Sequence, residues 1–320
     1  MQDDILFQTF TCEECLEFTA KLRLGLPKHQ VKERVDLLIN QLGLQHCRKT
    51  LVGSPLIRGL SGGEKKRTSI AVELVTNPSV IFFDEPTSGL DSFNAEKIVK
   101  LLVSQAKLGK TIISTIHQPN SECFASFDRI LLLMEGHTIY QGSAYDSVEY
   151  FQKLGYKCPE YSNPADYFLK EFSTPRKLDS SYVEKVNTIS KAYESHLMHI
   201  IEQEDSISDH PQISKSLLKS RFREVSWCRE FELVVKRTFM DMHRNPMYMG
   251  ARICQTIMTG LLALALFWNL DYGPAGVENK IRMLYFICID QTMMTMFSVL
   301  MVFLNERDVF IREYANHTYG

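Results

Sequence analysis

Two short stretches between residues 59 and 91 contain residue types that bind phosphate and divalent metal ions. The first is Leu60-Ser61-Gly62-Gly63-Glu64, a turn of small residues that opens a predicted helix. Adjacent glycines let a backbone approach a ligand closely, and the N–H groups at a helix start bind anions. The second is the apolar run Val80-Ile81-Phe82-Phe83, which ends at Asp84 and Glu85. This run predicts a buried parallel strand that presents both acids at its C-terminal edge.

The carboxyl edge of an open α/β sheet is where ligands bind. Two neighbouring carboxylates at a nucleotide site can divide the work, one holding Mg²⁺ and the other polarising the attacking water. From their order, we assign Asp84 to the metal side and Glu85 to the general base. A strand end capped by two solvated acids is the alternative. The compact order of LSGGE, DEPTSGLD and a later histidine argues against it.

His117 follows a second predicted buried strand, Thr111–Ile116. A histidine at this edge can hydrogen-bond a γ-phosphate and report its presence, although a lone histidine is usually structural. Gly109-Lys110-Thr111 ends like the phosphate-binding loop G-x-x-x-x-G-K-[ST], but Ser104 stands where that loop needs its first glycine. The segment also leads from a helix into a strand, the reverse of a true loop. Gly109 is therefore predicted to end a helix.

These motifs together resemble those of the ATP-binding cassette (ABC) transporters, and their residue sequence is similar to that of the G subfamily of half-transporters. LSGGEKKR resembles the signature, VIFFDEP the Walker B strand, Ser88-Gly89-Leu90-Asp91 the D-loop and STIHQP the switch-histidine strand. The resemblance implies an α/β P-loop-type ABC ATPase domain, incomplete because its Walker A part is missing, followed by an all-α transmembrane segment. It also implies ATP and Mg²⁺ as cofactors and ATP hydrolysis coupled to export of a lipid-like or amphipathic substrate.

The same resemblance implies roles for individual residues. Glu85, His117 and Gln2 form the catalytic set, and Asp84 and Gln2 the Mg²⁺ set. Gln2 is included because Gln2-Asp3-Asp4 resembles the Q-loop, although a frayed polar N-terminus is the alternative. The residues implied in ATP binding are Ser61, Gly62, Gly63, Glu64 and Asp91. Because the signature of one subunit closes over ATP held by the other, the resemblance implies a second half-transporter as partner, in a homodimer or a heterodimer.

The family's Walker A loop lies upstream of the Q-loop, and these 320 residues contain none. We therefore expect Met1 to be an internal methionine of a longer protein, the C-terminus to be truncated as well, and this fragment alone to be inactive. Two alternatives stay open. One is a non-hydrolytic or regulatory partner subunit that contributes only its signature face, and the other is a soluble ABC ATPase.

The resemblance, together with composition and hydropathy, divides the chain into four predicted parts. Residues 1–172 form the nucleotide-binding domain, 173–225 a linker with one helix near 182–201, and 226–246 an amphipathic connecting helix. Residues 247–320 begin an ABC-2-type transmembrane domain, with spans at about 247–270 and 283–304 around a polar loop, Asp271–Arg282. The 18 uncharged residues 253–270 alone reach roughly 27 Å as a helix, close to a bilayer core.

Net charge and hydropathy also indicate which classes of partner to expect. A net charge of −2 gives no basic footprint for nucleic acid, so we expect none as a partner. The helix at 226–243 has an apolar stripe that suits a membrane interface, with a soluble core helix as the alternative. Lys and Arg number six between residues 221 and 246 but two in the loop between the spans. This excess predicts a multi-pass membrane protein with a cytosolic ATPase domain.

Overall fold

The computed structural model describes residues 5–54, 57–173, 180–205, 225–268 and 273–315. The described residues separate into two compact units, each of which is treated by itself below. One unit contains those of Asn77–Arg221, and the other those of Asp3–Thr76 and Phe222–Gly320. Gln2 and the segment that resembles a Q-loop lie outside the described residues.

The described residues contain eleven α-helices, one 3-10 turn and four strands. The chain runs α1 (Cys12–Leu24), α2 (Lys28–Gln41), a 3-10 turn (Gln45–Cys47), α3 (Gly62–Leu74), β1 (Val80–Phe83), α4 (Ser92–Lys107), β2 (Thr111–Ser114) and α5 (Ser121–Ala125). It continues with β3 (Arg129–Met134), β4 (His137–Ser143), α6 (Ala144–Lys153), α7 (Pro164–Glu171), α8 (Ser180–Asp205), α9 (Trp227–Arg244), α10 (Pro246–Leu266) and α11 (Pro274–Ala315).

Apolar residues at helical spacing predict amphipathic helices at 11–24 and 28–42, and the structure confirms them as α1 and α2. Helix α1 begins with a capping box, in which the Thr11 side chain accepts from the backbone N–H of Glu14 and the Glu14 carboxylate accepts from Thr11 N–H. The predicted apolar face of α2 is buried, at Val31, Val35 and Leu38. Helix α1 packs against both α2 and α3, so these three helices form one layered subdomain.

Strands β1 and β2 pair in parallel, as expected, with Phe83 opposite Ser114. The prediction that both strands are buried is wrong, because half or more of the side chain is exposed at Val80, Phe82 and Ile113. Side chains alternate between the two faces of a strand, and in this two-stranded sheet Ile81 is buried while Val80 and Phe82 on the opposite face are exposed. Strand β2 also ends at Ser114, two residues earlier than predicted, because its partner β1 ends at the opposite residue.

The sequence after β2 predicts a hairpin of Ile130–Met134 and Thr138–Tyr140 around a turn with glycine, and the structure confirms it. Strands β3 and β4 are antiparallel around Glu135-Gly136, where both residues have positive φ. An aromatic cluster around fully buried Phe151 fills the space between this hairpin and its helices. Helix α8, predicted within the linker, packs on β4 and buries Tyr182 and Ile189 in the same cluster. Within the predicted linker, helix α8 is therefore packed structure, while the predicted domain boundaries stay a prediction.

Helix α9 exposes its apolar stripe and buries an arginine, the reverse of what its sequence suggests. The apolar stripe that includes Trp227, Phe231 and Phe239 is exposed, whereas Arg237 is buried. The exposed stripe contradicts the soluble core-helix interpretation for the described part of the chain, because a core helix would pack that stripe on protein. An interfacial amphipathic helix leaves the same stripe available to lipid.

Among the described residues, one stretch is long and apolar enough to cross a membrane, Met249–Leu266 in α10. It coincides with the first predicted span. The second predicted span, 283–304, lies within the continuous helix α11 and stays a prediction. The polar loop predicted over 271–282 is wrong from Pro274 onward, where α11 begins. Proline is favourable in the first turn of a helix because its missing N–H has no intrahelical partner there.

Candidate functional site

The signature turn is the N-terminus of α3, as predicted. Ser61 is the N-cap: its Oγ accepts from the backbone N–H of Glu64 at 3.4 Å, and its own N–H donates to Glu64 Oε2 at 2.8 Å. This second capping box fixes the first turn. Ser61 and Gly62 are exposed and Gly63 is buried. The exposed turn can offer its N–H groups and the positive end of the helix dipole to a phosphate.

Two glycines that sequence reasoning missed set the approach to this turn. Gly53 and Gly59 lie so close that a Cβ added to Gly59 would stand 2.3 Å from the carbonyl oxygen of Val52 and 2.5 Å from Gly53 Cα. Just after this approach, Leu60 N–H donates to the Leu51 carbonyl at 3.0 Å. The segment that leads into Ser61 is thus held on residues 51–53 by a backbone contact that only glycine permits.

Both carboxylate oxygens of Glu64 have hydrogen-bond partners within the protein. Its Oε2 accepts from Ser61, and its Oε1 lies 2.7 Å from Nε2 of His46 in the 3-10 turn. Burial alone would raise the pKa of the Glu64 carboxyl, but the hydrogen bonds from Ser61 and His46 outweigh burial and lower it. Glu64 therefore positions the turn, and direct contact of Glu64 with ATP stays a prediction.

At the carboxyl edge of β1 and β2, Thr115 joins the two acids. Its hydroxyl donates to Asp84 Oδ1 at 2.7 Å and accepts from the backbone N–H of Glu85 at 2.8 Å. Thr115 N–H also donates to the Phe83 carbonyl at 3.0 Å, extending the ladder by one bond. Sequence reasoning missed Thr115. The only signal was its place on the strand that leads to His117.

Backbone strain accompanies these side chains. Glu85 and Gln118 both have positive φ, 44° and 45°, which is uncommon for residues other than glycine. The conformation of Glu85 turns the chain directly after Asp84 and leaves Glu85 partly exposed at the edge of the sheet. His117 is exposed and follows the neighbouring strand. Asp84 and Glu85 thus follow the carboxyl end of β1 and His117 follows that of the parallel strand β2, while a shared role at a nucleotide stays a prediction.

Asp91 has a structural task at the start of α4. Its two carboxylate oxygens accept from the backbone N–H and the side-chain amide of Asn94, each at 2.8 Å. These hydrogen bonds lower the pKa of Asp91 below its usual value. A charged N-cap also interacts favourably with the helix dipole. The D-loop aspartate thus fixes the end of the Ser88–Asp91 turn, and contact with nucleotide stays a prediction.

The donor set at this edge fits Mg²⁺ and its water. Thr115 holds one oxygen of Asp84, and the second carboxylate oxygen is left for the ion or a coordinated water, the oxygen ligands that Mg²⁺ prefers. Asp84 itself is exposed. The signature turn belongs to the other compact unit. The structure therefore links Asp84 and Glu85 through Thr115, with His117 beyond the end of the neighbouring strand, and separately groups Ser61, Gly62, Gly63 and Glu64 at the start of α3.

Helices α9 and α11 are tied to the signature subdomain by buried charge. Arg237 of α9 donates to Glu313 of α11 at 2.9 Å, and both side chains are buried. The Arg237 guanidinium also lies over the rings of Phe7 and Phe18, at 4.1 and 5.1 Å. Cation–π contact and the ion pair together compensate the burial of a charge. The segment after the second predicted span resembles the family's coupling segment, which would meet the ATPase domain, and its Glu313 here pairs with the arginine that lies over Phe18 of α1.

A second group of contacts joins the end of α9 to the beginning of α1. Arg244 donates to both oxygens of Glu14, at 2.6 and 2.8 Å, and to the Thr9 carbonyl at 3.2 Å. Thr9 Oγ1 donates to Asp241 at 2.5 Å. Burial alone would raise the pKa of Glu14, but the hydrogen bonds from Arg244 and Thr11 lower it below its usual value. Such two-pronged arginine contacts fix orientation as well as distance.

Glu306 contrasts with Glu14 in this interface. Burial raises its pKa, with the negative charges of Asp241 and Glu313 adding to the effect and Arg237 opposing it. Its Oε1 is buried and has no hydrogen-bond partner among the described residues. A carboxylate in this position is costly at neutral pH.

Comparison with known protein families gives three matches along the chain. A model described as "ABC transporter" matches residues 1–88, and two described as "ABC-2 type transporter" match residues 117–224 and 229–320. The N-terminal part is thus an ABC ATPase segment, and an ABC-2 membrane segment follows it. The matched ranges include every candidate site residue except Asp91.

Individual relatives match nearly the whole chain. A pig protein named "Broad substrate specificity ATP-binding cassette transporter ABCG2" is 34% identical over 342 residues, covering 100% of this chain and 52% of the relative. A Caenorhabditis elegans protein, "ABC transporter ATP-binding protein/permease wht-3", is 35% identical, covering 98% and 50%. A Dictyostelium discoideum protein, "ABC transporter G family member 12", is 37% identical, covering 99% and 48%. The chain therefore spans about half the length of the curated relatives it matches.

Proposed function

Because this chain belongs to the G family of ABC transporters, we propose that it is part of an ATP-driven exporter of lipid-like or amphipathic compounds. The observation that carries the proposal is the carboxyl edge of β1 and β2. There one threonine hydroxyl holds Asp84 and the backbone of Glu85, and His117 follows the end of the neighbouring strand β2. In this assignment the edge supplies a carboxylate for Mg²⁺, a base for the attacking water and a histidine for the γ-phosphate. These groups suit phosphoryl transfer.

In this proposal each residue has one task. Asp84 holds Mg²⁺, directly or through water, and Mg²⁺ neutralises charge on the phosphates when it is bound. Glu85 takes a proton from the attacking water, and its backbone is fixed by Thr115. His117 hydrogen-bonds the γ-phosphate. Gln2 acts on the Mg²⁺ side.

The signature turn serves the nucleotide of a partner subunit. Ser61, Gly62 and Gly63 would bind the γ-phosphate held by that partner, with Glu64 keeping the turn in place and Asp91 ordering the D-loop. A second half-transporter, identical or different, is therefore required. Closure of the pair is passed on through α1 to α9 and α11, because Arg237–Glu313 and Arg244–Glu14 join these helices.

We place the protein in a membrane as a multi-pass protein with its ATPase part in the cytosol. The apolar helix α10, the exposed apolar stripe of α9 and the excess of Lys and Arg before α10 support this orientation. The lipid bilayer and an amphipathic compound are then partners, and nucleic acid is not.

Two alternative functions are proposed for the protein that contains these 320 residues. The leading one is a competent ATPase whose phosphate cradle is supplied by a G-x-x-x-x-G-K-[ST] segment outside them, in which case these residues alone are inactive. The other is a non-hydrolytic subunit that lends only its signature turn. The soluble ABC ATPase is disfavoured by the membrane family matches at 117–224 and 229–320.

The test is ATP-dependent uptake of a fluorescent amphipathic compound into inside-out vesicles containing the protein expressed from its whole reading frame. We expect uptake and vanadate-sensitive ATP hydrolysis, both lost with Glu85→Gln. Uptake with hydrolysis unchanged by Glu85→Gln would assign this subunit the non-hydrolytic role. The proposal is overturned if the protein shows no ATP-dependent uptake and does not associate with the vesicle membrane.

A further inference from the structure

His46, Cys47 and Glu64 form a mixed cluster beside the signature turn. One ligand atom of each, a ring nitrogen, Sγ and a carboxylate oxygen, lies within 4.8 Å of the other two. His46 is exposed, Cys47 is buried and Glu64 is intermediate between them. The cluster therefore has one side open to solvent and one closed by protein. From this geometry we propose that the cluster binds a single Zn²⁺-like transition-metal ion.

The donor set selects the class of metal. Nitrogen, thiolate and carboxylate ligands are those of Zn²⁺ and its neighbours, whereas Mg²⁺ takes oxygen ligands at nearly octahedral sites. The Mg²⁺ that accompanies ATP therefore competes poorly here. Three protein ligands leave a fourth tetrahedral position for water. The exposed side of His46 gives that water access.

Only small shifts are needed to build the site. Bond lengths of about 2.0–2.3 Å place tetrahedral ligand atoms about 3.3–3.8 Å apart. His46 Nε2 and Glu64 Oε1, now hydrogen-bonded at 2.7 Å, must separate slightly to admit the ion. The widest pair in the cluster, at most 4.8 Å, must approach by about 1 Å. His46 and Cys47 can move together because both lie in the same 3-10 turn.

The carboxylate is already oriented for this role. The capping box holds Glu64 Oε2 at 2.8 Å from both the N–H and the Oγ of Ser61, so Oε1 is directed to the 3-10 turn. Carboxylates that bind metal ions are usually held in place by hydrogen bonds of this kind. Bound metal would tie the turn at residues 45–47 to the first turn of the signature helix.

Cys47 gains a role that packing alone does not give it. Burial raises the pKa of its thiol to about 11, with Arg67 opposing that effect. The thiol is therefore protonated without metal, and binding releases one proton to solvent as the metal–sulfur bond forms.

The experiment titrates Co²⁺, a spectroscopic substitute for Zn²⁺, into the reduced full chain in detergent. The background carries serine at Cys228, Cys254 and Cys288, the exposed cysteines of the described part of the chain. We expect one equivalent to produce a thiolate-to-cobalt absorption band that one equivalent of Zn²⁺ abolishes. This readout does not depend on ATPase activity, so it fails or succeeds separately from the proposed transport function.

Variants assign the ligands. Cys47→Ser should remove the band, and His46→Ala and Glu64→Gln should each weaken binding by about 100-fold. His46→Ala is the variant least able to disturb folding, because its ring is exposed. Matched controls are His29→Ala, an exposed histidine on α2, and Cys123→Ser, a buried free cysteine of the other unit. No band in the parent, or binding unchanged by His46→Ala, would overturn the site and leave His46–Glu64 a plain hydrogen-bonded pair.

Discussion

The Thr115 hydroxyl donates to the Asp84 carboxylate at 2.7 Å while accepting the backbone N–H of Glu85 at 2.8 Å. One side chain thereby sets the positions of the metal-side carboxylate and of the strained residue that carries the base. The relationship crosses from β2 to the end of β1, and it is the most specific feature of the candidate ATPase edge.

Thr115→Val should lower ATP turnover by about 10- to 100-fold with little change in KM for ATP. Valine keeps the shape of threonine but loses the hydroxyl, and small displacements of a base cost rate more than binding. Steady-state hydrolysis by the protein expressed from its whole reading frame measures both parameters. Thr115→Ser keeps the hydroxyl and is the rescue control. Equal loss in both variants would argue that packing matters and positioning does not.

Glu85→Gln should reduce turnover by at least about 100-fold while preserving ATP binding, because the amide keeps the shape of the side chain but cannot accept a proton. Hydrolysis and retention of a fluorescent ATP analogue measure the two effects. Glu122→Gln is a suitable control, since Glu122 is exposed on α5 of the same unit. Turnover retained in Glu85→Gln would remove Glu85 from the role of base.

Gly59→Ala should destabilise the signature subdomain by about 2–3 kcal/mol, since its Cβ would stand 2.3 Å from a backbone oxygen that cannot rotate away. Thermal unfolding in detergent reports the change. Gly260→Ala is the matched control, because no atom lies within 4 Å of the added Cβ and alanine favours a helix. A Gly59→Ala protein as stable as the control would show that residues 51–59 rearrange freely.

Breaking the buried pair Arg237–Glu313 should cost about 3–5 kcal/mol, because the remaining partner is left buried without its counter-charge. Glu313→Gln and Arg237→Met test this by thermal unfolding. Removing Glu278 from its exposed pair with Arg282 should cost less than about 0.5 kcal/mol. Similar losses at both pairs would mean that the α9–α11 contact is solvated in solution.

Glu14 and Glu306 should give opposite pH dependences. The lowered pKa of Glu14 contributes stability that is present above the usual glutamate value and is lost as the pH falls through its folded pKa. The raised pKa of Glu306 contributes stability below the usual value, and this is lost as the pH rises through its folded pKa.

Glu306→Gln should therefore raise the Tm at neutral pH and lose that benefit near pH 4, whereas Glu14→Gln should lower the Tm at neutral pH and have less effect near pH 4. Unfolding curves across this range check both signs. Parallel shifts in the two variants would contradict the assigned environments.

Local pattern was sufficient wherever neighbouring residues decide the outcome. The 3.6-residue periodicity of α1 and α2, the first turn at Ser61, the glycine that ends α4 and the parallel order of two short strands all followed from the chain itself. So did the positions of Asp84, Glu85 and His117 just after the carboxyl ends of two paired strands, because such ends share an edge of the sheet.

Tertiary structure alone decided what depends on residues far apart in the chain. Thr115 is 31 residues from Asp84 and Arg237 is 76 from Glu313, so no periodicity relates them. Helix α9 buries its arginine and exposes its apolar stripe, because a charged partner on α11 and aromatic rings beside α1 meet one face of it. The sequence shows that such a helix is amphipathic, but only its neighbours determine which face is covered.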